Sequence, residues 1–387
     1  MKQAATPSVI VHLDKPVGGR VSGPVSVVHG WLAVDGTGTI DHVRLVNASG
    51  VAIPLALVNR PDVRAALTDR TTMGFSGWID ARRALDGPWG VRFEFNGHAH
   101  EAAVELQADA ADAATFRASK ERKLARIEPL LRCPACGAPF ERGLPEPRCA
   151  NQHTFGTSYE AFDLRDAEQR SQSERLTPHD VSAHGYDALL QELLARSPGP
   201  ILDAGAGLRP DYRDDVVNLE ILPYPTTDVI SSAESLPFAD ATFDLVISVA
   251  VLEHVRDPFA AARELERVLR PGGRVFAAVP FLQPYHAYPN HYYNMTAGGL
   301  KNLFGNCEVE QLGVPASGRP IFLLSWMLQA WRSQLPPATA HDFDQMSVAD
   351  LAVDPMLLVD RPFVRELPEA ANEELAALNV LIGRKRG

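Results

Sequence analysis

The sequence predicts a multidomain chain in which a small all-β sandwich and a compact metal-binding ribbon precede a larger α/β domain with a doubly wound parallel sheet. Three observations predict it. Short β-branched or aromatic runs, separated by turn signals, fill residues 7–107. Three of the four cysteines crowd into the stretch from Cys133 to Cys149. From Gly199 onward, strand-like runs alternate with helical patterns. A chain of 387 residues also exceeds what one small core encloses, so two or three domains are expected.

Composition narrows the function classes. The chain is 45% hydrophobic and 22% charged, which is ordinary globular usage and argues against wholesale disorder. A formal net charge of −11 argues against a surface built over its whole extent to wrap nucleic acid, leaving only a local basic patch open. The longest apolar run, Ile321 to Trp331, is interrupted by Ser325 and Gln329 and is shorter than the ~20 residues that span a bilayer. The opening MKQAATPSVIVHLDKP has no apolar stretch of signal-peptide length before its first charges, so no transmembrane segment and a cytoplasmic setting are expected.

In chain order, the β module (1–108) shows strand runs at Val25–Val28, Val43–Val46, Val91–Phe95 and Ala102–Leu106, with turns at Asp35-Gly36, Ser49-Gly50, Asp86-Gly87 and Asn96-Gly97. Asn96-Gly97 is a strong hairpin signal. Residues 109–130 then change character. Alanine-rich sequence runs into RASKERKLARIEPLLR, which reads as a linker and a short basic helix, either a solvated face or a phosphate-contacting arm.

In the ribbon (131–166), Cys133 and Cys136 form C-x2-C, and after twelve residues Cys149 and His153 form C-x3-H. Three thiolates and an imidazole at this spacing suit a tetrahedral zinc ion, and four protein ligands make the site structural. Gly137 follows the first pair, where a tight turn would aim N–H groups at sulfur.

In the α/β domain (180–387), strands are expected at Ile201-Leu202, Val216–Leu219, Val229-Ile230, Leu245–Val249 and Arg274–Val279. The stretch Asp203-Ala204-Gly205-Ala206-Gly207 ends a buried strand in an acid and a glycine turn. The next run ends in Glu220, seventeen residues further on, where a carboxylate can accept both hydroxyls of a ribose. Then come Ser232 to Phe238 (SAESLPF), Phe243 to Ser248 (FDLVIS), Glu253-His254-Val255 and Arg270-Pro271-Gly272-Gly273. Asp257 is the expected N-cap of a helix with Pro258 first and Ala261, Leu265, Val268 and Leu269 on one face, stopped by Pro271-Gly272-Gly273. A dehydrogenase G-x-G-x-x-G is missing.

These ordered motifs resemble the class I S-adenosylmethionine-dependent methyltransferases of the subgroup carrying LPF, FDLV, EHV and LxPGG, so a Rossmann-like class I methyltransferase fold is expected. The resemblance implies S-adenosylmethionine as cofactor. It places Asp203, Ala204, Gly205 and Gly207 at the methionine end, Glu220 on the ribose, Ala233 and Glu234 beside adenine, and Ser248 at the cofactor's edge. Two departures stand out: Leu208-Arg209-Pro210 replaces the family's third glycine, and Ser232 replaces a frequent Asp. The ribbon, with Phe155, Tyr159, Phe162, Asp163 and Leu164 after its ligands, resembles the zinc ribbon preceding the methyltransferase domain of some bacterial rRNA guanine methyltransferases. HLDKPVGGRVSGPVSVVHGWLAVDG resembles β-sandwich modules attached to glycosyltransferases and methyltransferases of bacterial surface-glycan assembly.

Beyond Val279-Pro280 lies a loop holding Tyr285, His286, Tyr288, His291, Tyr292 and Tyr293. In a doubly wound sheet such a segment lies over the ligand crevice. A hydroxyl nucleophile benefits from a base near neutral pH, which makes His286 and His291 catalytic candidates, with His254 near the cofactor by resemblance. Residues 315–375 read as a helical insertion with Trp326 and Trp331, a lid or a homodimer contact, and Leu378–Gly383 as the last strand. The expected activity is O-methylation of a sugar or surface-glycan intermediate. RNA base methylation and a non-catalytic binding scaffold are the alternatives.

Overall fold

The computed structural model describes residues 7–141, 146–158, 160–173, 185–286, 290–380 and 384. Tyr159, Tyr288 and residues 180–184, all of which the sequence reading drew in, lie outside them. The chain divides into two compact units, residues 1–249 with 267–277, and residues 250–266 with 278–387.

The first unit begins with β1 (Val9–Lys15), the short β2 (Arg20–Val21), β3 (Val25–Asp35), β4 (Ile40–Asn47), β5 (Ala52–Pro54), β6 (Ala56–Val58), β7 (Arg70–Asp80), β8 (Trp89–Phe95), β9 (His98–Val104) and the short β10 (Gln107–Ala108). Eight of them form two four-stranded sheets, ordered β1-β3-β7-β6 and β5-β4-β8-β9, and β10 pairs with β2 in parallel. Val28, Leu32, Phe75 and Ile79 of the first sheet share one buried cluster with Leu45, Trp89, Val91 and Phe93 of the second. Asn96 (φ 50°) and Gly97 (φ 77°) make the β8–β9 turn, both in the left-handed region that this dipeptide tolerates. The sequence reading missed β7, which pairs with β3 along its whole length. Gly74 and Gly77 interrupt its apolar pattern, and at Gly74 a backbone contact requires the glycine. A Cβ at Gly74 would stand 2.6 Å from the Val58 carbonyl oxygen, and one at Gly77 would stand 2.5 Å from the Leu55 side chain.

The helix Ala110–Ile127 follows, capped by the Asp109 side chain on the Ala111 N–H at 2.7 Å. Its basic residues do not all face solvent, which corrects the expectation of a wholly solvated face. Lys120 and Lys123 are each 1% exposed. Lys120 Nζ donates to the Pro225 and Thr227 carbonyls at 2.8 and 2.7 Å, and burial pulls its pKa down to about 8. Lys123 Nζ lies 2.6 Å from Asp228 Oδ2 and 3.9 Å from the centre of the Tyr212 ring. The Tyr212 hydroxyl donates to the other Asp228 oxygen, while Phe116 meets that ring edge-on. The helix is therefore a packed element, with two of its cations taken up by the fold and Arg117, Arg122 and Arg126 left exposed.

A seven-stranded sheet carries the α/β part. Its strands are β11 (Gly156–Ser158), β12 (Ala161–Asp163), β13 (Ile201–Ala204), β14 (Val216–Glu220), β15 (Val229–Ile230), β16 (Phe243–Val249) and β17 (Leu269–Ala278), in the order β11-β12-β15-β14-β13-β16-β17. Strands β12 to β16 pair in parallel, and β13 and β14 are fully buried, as parallel strands covered on both faces must be. The helix Ala188–Arg196 sets Leu190 and Leu194 against Ile201, Val216, Leu245 and Ile247. A finding outside the sequence reading is that the hairpin β11–β12 belongs to this sheet: Phe162 pairs with Val229 and Asp163 with Ile230. The Pro258–Val268 helix ends before Pro271-Gly272-Gly273. Those residues sit inside the extended Leu269–Ala278 element, with Gly272 at φ 80°.

The second unit is helical beyond residue 296. Helices Pro320–Ser333 and Pro337–Asp344, with shorter turns after them, enclose Leu335, Phe343, Phe363, Leu367 and Ala371. Trp331 stacks on Phe343 and donates its Nε1–H to the Phe363 carbonyl at 2.8 Å, whereas Trp326 is exposed. The last strand expected at Leu378–Gly383 is not formed at 378–380, and 381–383 lie outside the described residues. Among the described residues no helix is long and apolar enough to cross a membrane.

Candidate functional site

Three constellations carry chemistry, two in the first unit and one in the second. The first occupies the carboxyl ends of four neighbouring strands, β15, β14, β13 and β16. Asp203 ends β13 and is fully buried. Its Oδ2 accepts from the Tyr186 hydroxyl at 2.7 Å and from Arg209 Nε at 2.8 Å, while Oδ1 has no partner. Burial, more than the neighbouring carboxylate, holds the Tyr186 hydroxyl far above its ordinary pKa, so Tyr186 remains a donor. The Arg209 guanidinium lies 4.5 Å from the centre of the Tyr186 ring. Arg209, in the segment that departs from the three-glycine pattern, thus braces the loop through a side chain. Sequence reasoning missed both Tyr186 and Arg209 as supports of Asp203.

Gly205 (φ 81°) and Gly207 (φ 61°) turn the chain after Asp203 in a conformation other residues rarely adopt. Glu220, at the tip of β14, is 9% exposed. Its Oε2 accepts the Gly207 N–H at 2.9 Å and its Oε1 the Ile221 N–H at 2.7 Å. Burial pushes the Glu220 carboxyl above its ordinary range, while the Gly207 and Ile221 N–H groups pull the other way. The Leu222 N–H also acts on this carboxylate, whose four lone-pair sites still leave capacity for a further donor. After β15, the Ser231 N–H bonds the Glu220 carbonyl at 3.0 Å, and Ser232 Oγ accepts the Glu234 N–H at 3.1 Å. Ala233 is buried beside them, and Glu234 is half-buried. Ser248, near the end of β16, is fully buried with an unpartnered hydroxyl. Asp203 Oδ1 and Ser248 Oγ, orphaned on adjacent strands, fit the polar end of a ligand. Buried polar atoms are otherwise paired.

The family model described as a methyltransferase domain matches residues 211–277. Residues 211–277 are thus similar to a methyltransferase domain, and the parallel sheet they contribute to has the Rossmann-like arrangement. An uncharacterized methyltransferase of Schizosaccharomyces pombe is 44% identical over 63 residues, covering 16% of this chain and 23% of that one. The Escherichia coli protein YafE is 50% identical over 54 residues, covering 14% and 26%. A ubiquinone/menaquinone biosynthesis C-methyltransferase of Hahella chejuensis is 37% identical over 78 residues, covering 20% and 31%. The chain thus spans under a third of the length of each of these relatives.

The second constellation precedes that methyltransferase domain. One donor atom each from Cys133, Cys136, Cys149 and His153 lies within 4.8 Å of the others. The Cys136 and Cys149 sulfurs are 3.7 Å apart, and His153 Nδ1 is 3.5 Å from the sulfurs of both Cys133 and Cys149. A tetrahedral ion bound at the usual zinc distances would set sulfur–sulfur edges of about 3.8 Å and sulfur–nitrogen edges of about 3.5 Å. Two tight turns build the site. The Gly137 N–H returns to the Cys133 carbonyl at 2.7 Å with φ 72°, and the Gln152 N–H to the Cys149 carbonyl at 2.8 Å with φ 63°. The Ala138 N–H and the Asn151 side chain pull the Cys136 thiol down to about 6, while burial pushes Cys133 up to about 11. The fourth cysteine, Cys307, stands outside this cluster.

The third constellation lies in the second unit, where His254, His286 and His291 meet. The His286 and His291 ring centres are 4.3 Å apart, and His254 lies 5.2 and 5.6 Å from them. Tyr285, half exposed, stacks on His291 at 5.8 Å. Burial lowers the pKa of both His254 and His291, which keeps these rings neutral at pH 7. Glu253, beside His254 in the sequence and fully buried, joins the group. The Tyr292 N–H bonds its carbonyl at 2.7 Å. Burial pushes the Glu253 carboxyl up to about 7. Its position next to a histidine just past a strand end was the available signal.

Proposed function

We propose that the protein is an S-adenosylmethionine-dependent methyltransferase acting on a hydroxyl of a sugar or glycan intermediate, with a structural zinc ion at Cys133, Cys136, Cys149 and His153. The observation that carries the cofactor reading is the pair of orphaned buried atoms, Asp203 Oδ1 and Ser248 Oγ, on strands neighbouring the Glu220 tip. Asp203 Oδ1 is an acceptor for a cationic amino group, and Glu220 keeps lone pairs for a ribose diol. Ala204, Gly205 and Gly207 supply a backbone without bulk at the turn, and Ala233 and Glu234 border the Glu220 side. When bound, the cofactor supplies a methyl group activated by its sulfonium. The protein's task is then positioning, because in-line displacement depends on the alignment of nucleophile and methyl group.

The glycan reading is supported by the exposed Tyr285, Tyr292 and Tyr293, which offer ring faces in one loop, and by the acidic net charge. Burial of Lys120 and Lys123 removes two of the cations on which RNA binding would draw. In this reading His254, His286 and His291 are the candidates for a base on the acceptor hydroxyl. Incubation with labelled S-adenosylmethionine and lysate fractionated into glycolipid, RNA, protein and small molecules tests the acceptor. Label in the glycolipid or sugar fraction is expected. Label in RNA, with retention that falls steeply as salt rises, would replace the acceptor.

Glu220 provides the cofactor test. Glu220→Ala is expected to weaken S-adenosylmethionine binding by about tenfold to a few hundredfold, at 1.4 kcal/mol per decade. It also strips the Gly207 and Ile221 N–H groups of their acceptor, so the folded state should lose about 1–3 kcal/mol. Glu220→Gln keeps the shape and one acceptor, and both losses should be smaller. Calorimetric titration with parallel thermal unfolding separates the two effects. Unchanged affinity in both variants would remove Glu220 from the cofactor site, and wild-type protein that binds no S-adenosylmethionine would leave the scaffold reading.

A further inference from the structure

We propose that Glu253, His254 and His286 form a second metal site, a two-histidine, one-carboxylate set for a divalent transition-metal ion. One donor atom from each lies within 4.8 Å of the others. The assignment stands on this geometry and is independent of methyl transfer.

The carboxylate is the first ground. Glu253 is 0% exposed, and neither of its oxygens has a hydrogen-bond partner. Buried carboxylates are otherwise hydrogen-bonded, ion-paired or bound to metal. The neighbouring His254 Nε2 stands 3.8 Å from Oε1, too far for a hydrogen bond and a suitable separation for two ligands of one ion. Its main chain is anchored, because the Glu253 carbonyl accepts the Tyr292 and Tyr293 N–H groups at 2.7 and 3.3 Å.

The ring nitrogens are the second ground. His254 Nδ1 lies 2.6 Å from the Asn290 carbonyl oxygen, and His286 Nδ1 lies 2.9 Å from that of Pro284. A carbonyl only accepts, so each Nδ1 carries the proton and each Nε2 presents its lone pair. Metal-binding histidines are oriented by this same arrangement, with the second nitrogen donating to a carbonyl or carboxylate. His291 differs. Its Nδ1 accepts the His286 main-chain N–H at 3.3 Å, and its Nε2 faces Asn294 Oδ1 at 3.0 Å. Both nitrogens are engaged, so His291 buttresses the site and supplies no ligand.

Two imidazoles and one carboxylate suit zinc, iron, cobalt or nickel better than magnesium or calcium, which prefer oxygen donors. Three protein ligands leave at least one position open, to water or to an oxygen of a bound molecule. His254 and His286 are half-buried, so an ion can reach the set from the histidine side.

The test uses the full chain, with its cysteine knuckle loaded with zinc and free metal removed, titrated with cobalt(II) alone. One further cobalt per chain is expected, with weak visible bands and no sulfur-to-cobalt charge-transfer absorption. Glu253→Gln and His286→Gln should each weaken this uptake by about tenfold or more, as loss of a ligand exceeds the 10–100-fold range of supporting residues at its lower end. His291→Gln, which removes no ligand atom, should lose less than either. His286 is only half-buried, so His286→Gln should keep the thermal midpoint and reads the site without unfolding it. Cobalt uptake confined to a thiolate-bound ion would overturn the proposal, as would equal uptake in the wild type, Glu253→Gln and His286→Gln.

Discussion

Asp228→Asn is expected to destabilise the first unit by about 3–5 kcal/mol, the loss seen when one partner of a buried ion pair is removed and the other stays charged. The Lys123 side chain is 2% exposed and that of Asp228 is 0% exposed, at 2.6 Å separation. Asp228 also accepts the Asn218 N–H at 2.8 Å and the Tyr212 hydroxyl. Asparagine keeps the shape but leaves the Lys123 ammonium without a counter-charge, near the equally buried Lys120. Lys123→Met in the same background removes the stranded charge, so the double variant should recover part of the loss. Urea unfolding midpoints of the wild type and the two variants decide it. The Ala110–Ile127 helix, which contributes Lys123, should also become the early site of limited proteolysis in Asp228→Asn. An unchanged midpoint in that variant would mean that Lys123 finds its stabilisation elsewhere.

The second large effect is expected at the cysteine knuckle. In isolated zinc-finger peptides a structural zinc ion contributes about 10–16 kcal/mol at pH 7, and a whole domain is stable by only about 5–15 kcal/mol. Cys149→Ser should therefore lose the thiolate-bound ion and leave the knuckle unfolded. The consequence should reach the methyltransferase domain, because β12, which follows the knuckle, pairs with β15, and the Arg132 N–H bonds the Pro237 carbonyl at 2.9 Å. Cobalt substitution reads it: the sulfur charge-transfer band should vanish in Cys149→Ser and persist in Cys307→Ser, whose sulfur lies outside the cluster. Hydrogen exchange should show the faster opening of β12 and β15 in the first variant only. A Cys149→Ser protein with an unaltered exchange pattern would separate the knuckle from the sheet.

Local chemistry made part of this protein legible from the sequence alone. The strands at Ile201–Ala204 and Val216–Glu220 are buried on both faces and so read as continuous apolar runs. Their polar ends, Asp203 and Glu220, mark the strand tips because a carboxylate ends each run. The clustering of Cys133, Cys136, Cys149 and His153 could be read because each tight turn spans only a few residues, so spacing dictates geometry. The hairpin at Asn96-Gly97 follows from two residues that tolerate positive φ.

Other features were decided only by the tertiary structure, because each depends on a partner from elsewhere in the chain. β7 hides its strand character behind Gly74 and Gly77, whose purpose shows only once Val58 and Leu55 lie against them. Glu220 reads as a surface carboxylate until the Gly207 and Ile221 N–H groups close on it. Tyr186 and Arg209 become supports of Asp203 only when the loop folds back on the end of β13. Glu253 is one more acid beside a histidine until the fold sets His286 next to it and leaves its carboxylate oxygens unpaired. Lys120 and Lys123 show the limit most plainly. A basic helix in isolation belongs to solvent, since an unpaired buried ammonium is costly. Asp228 and two carbonyls from the α/β domain reverse that balance, and periodicity along the helix carries no trace of them.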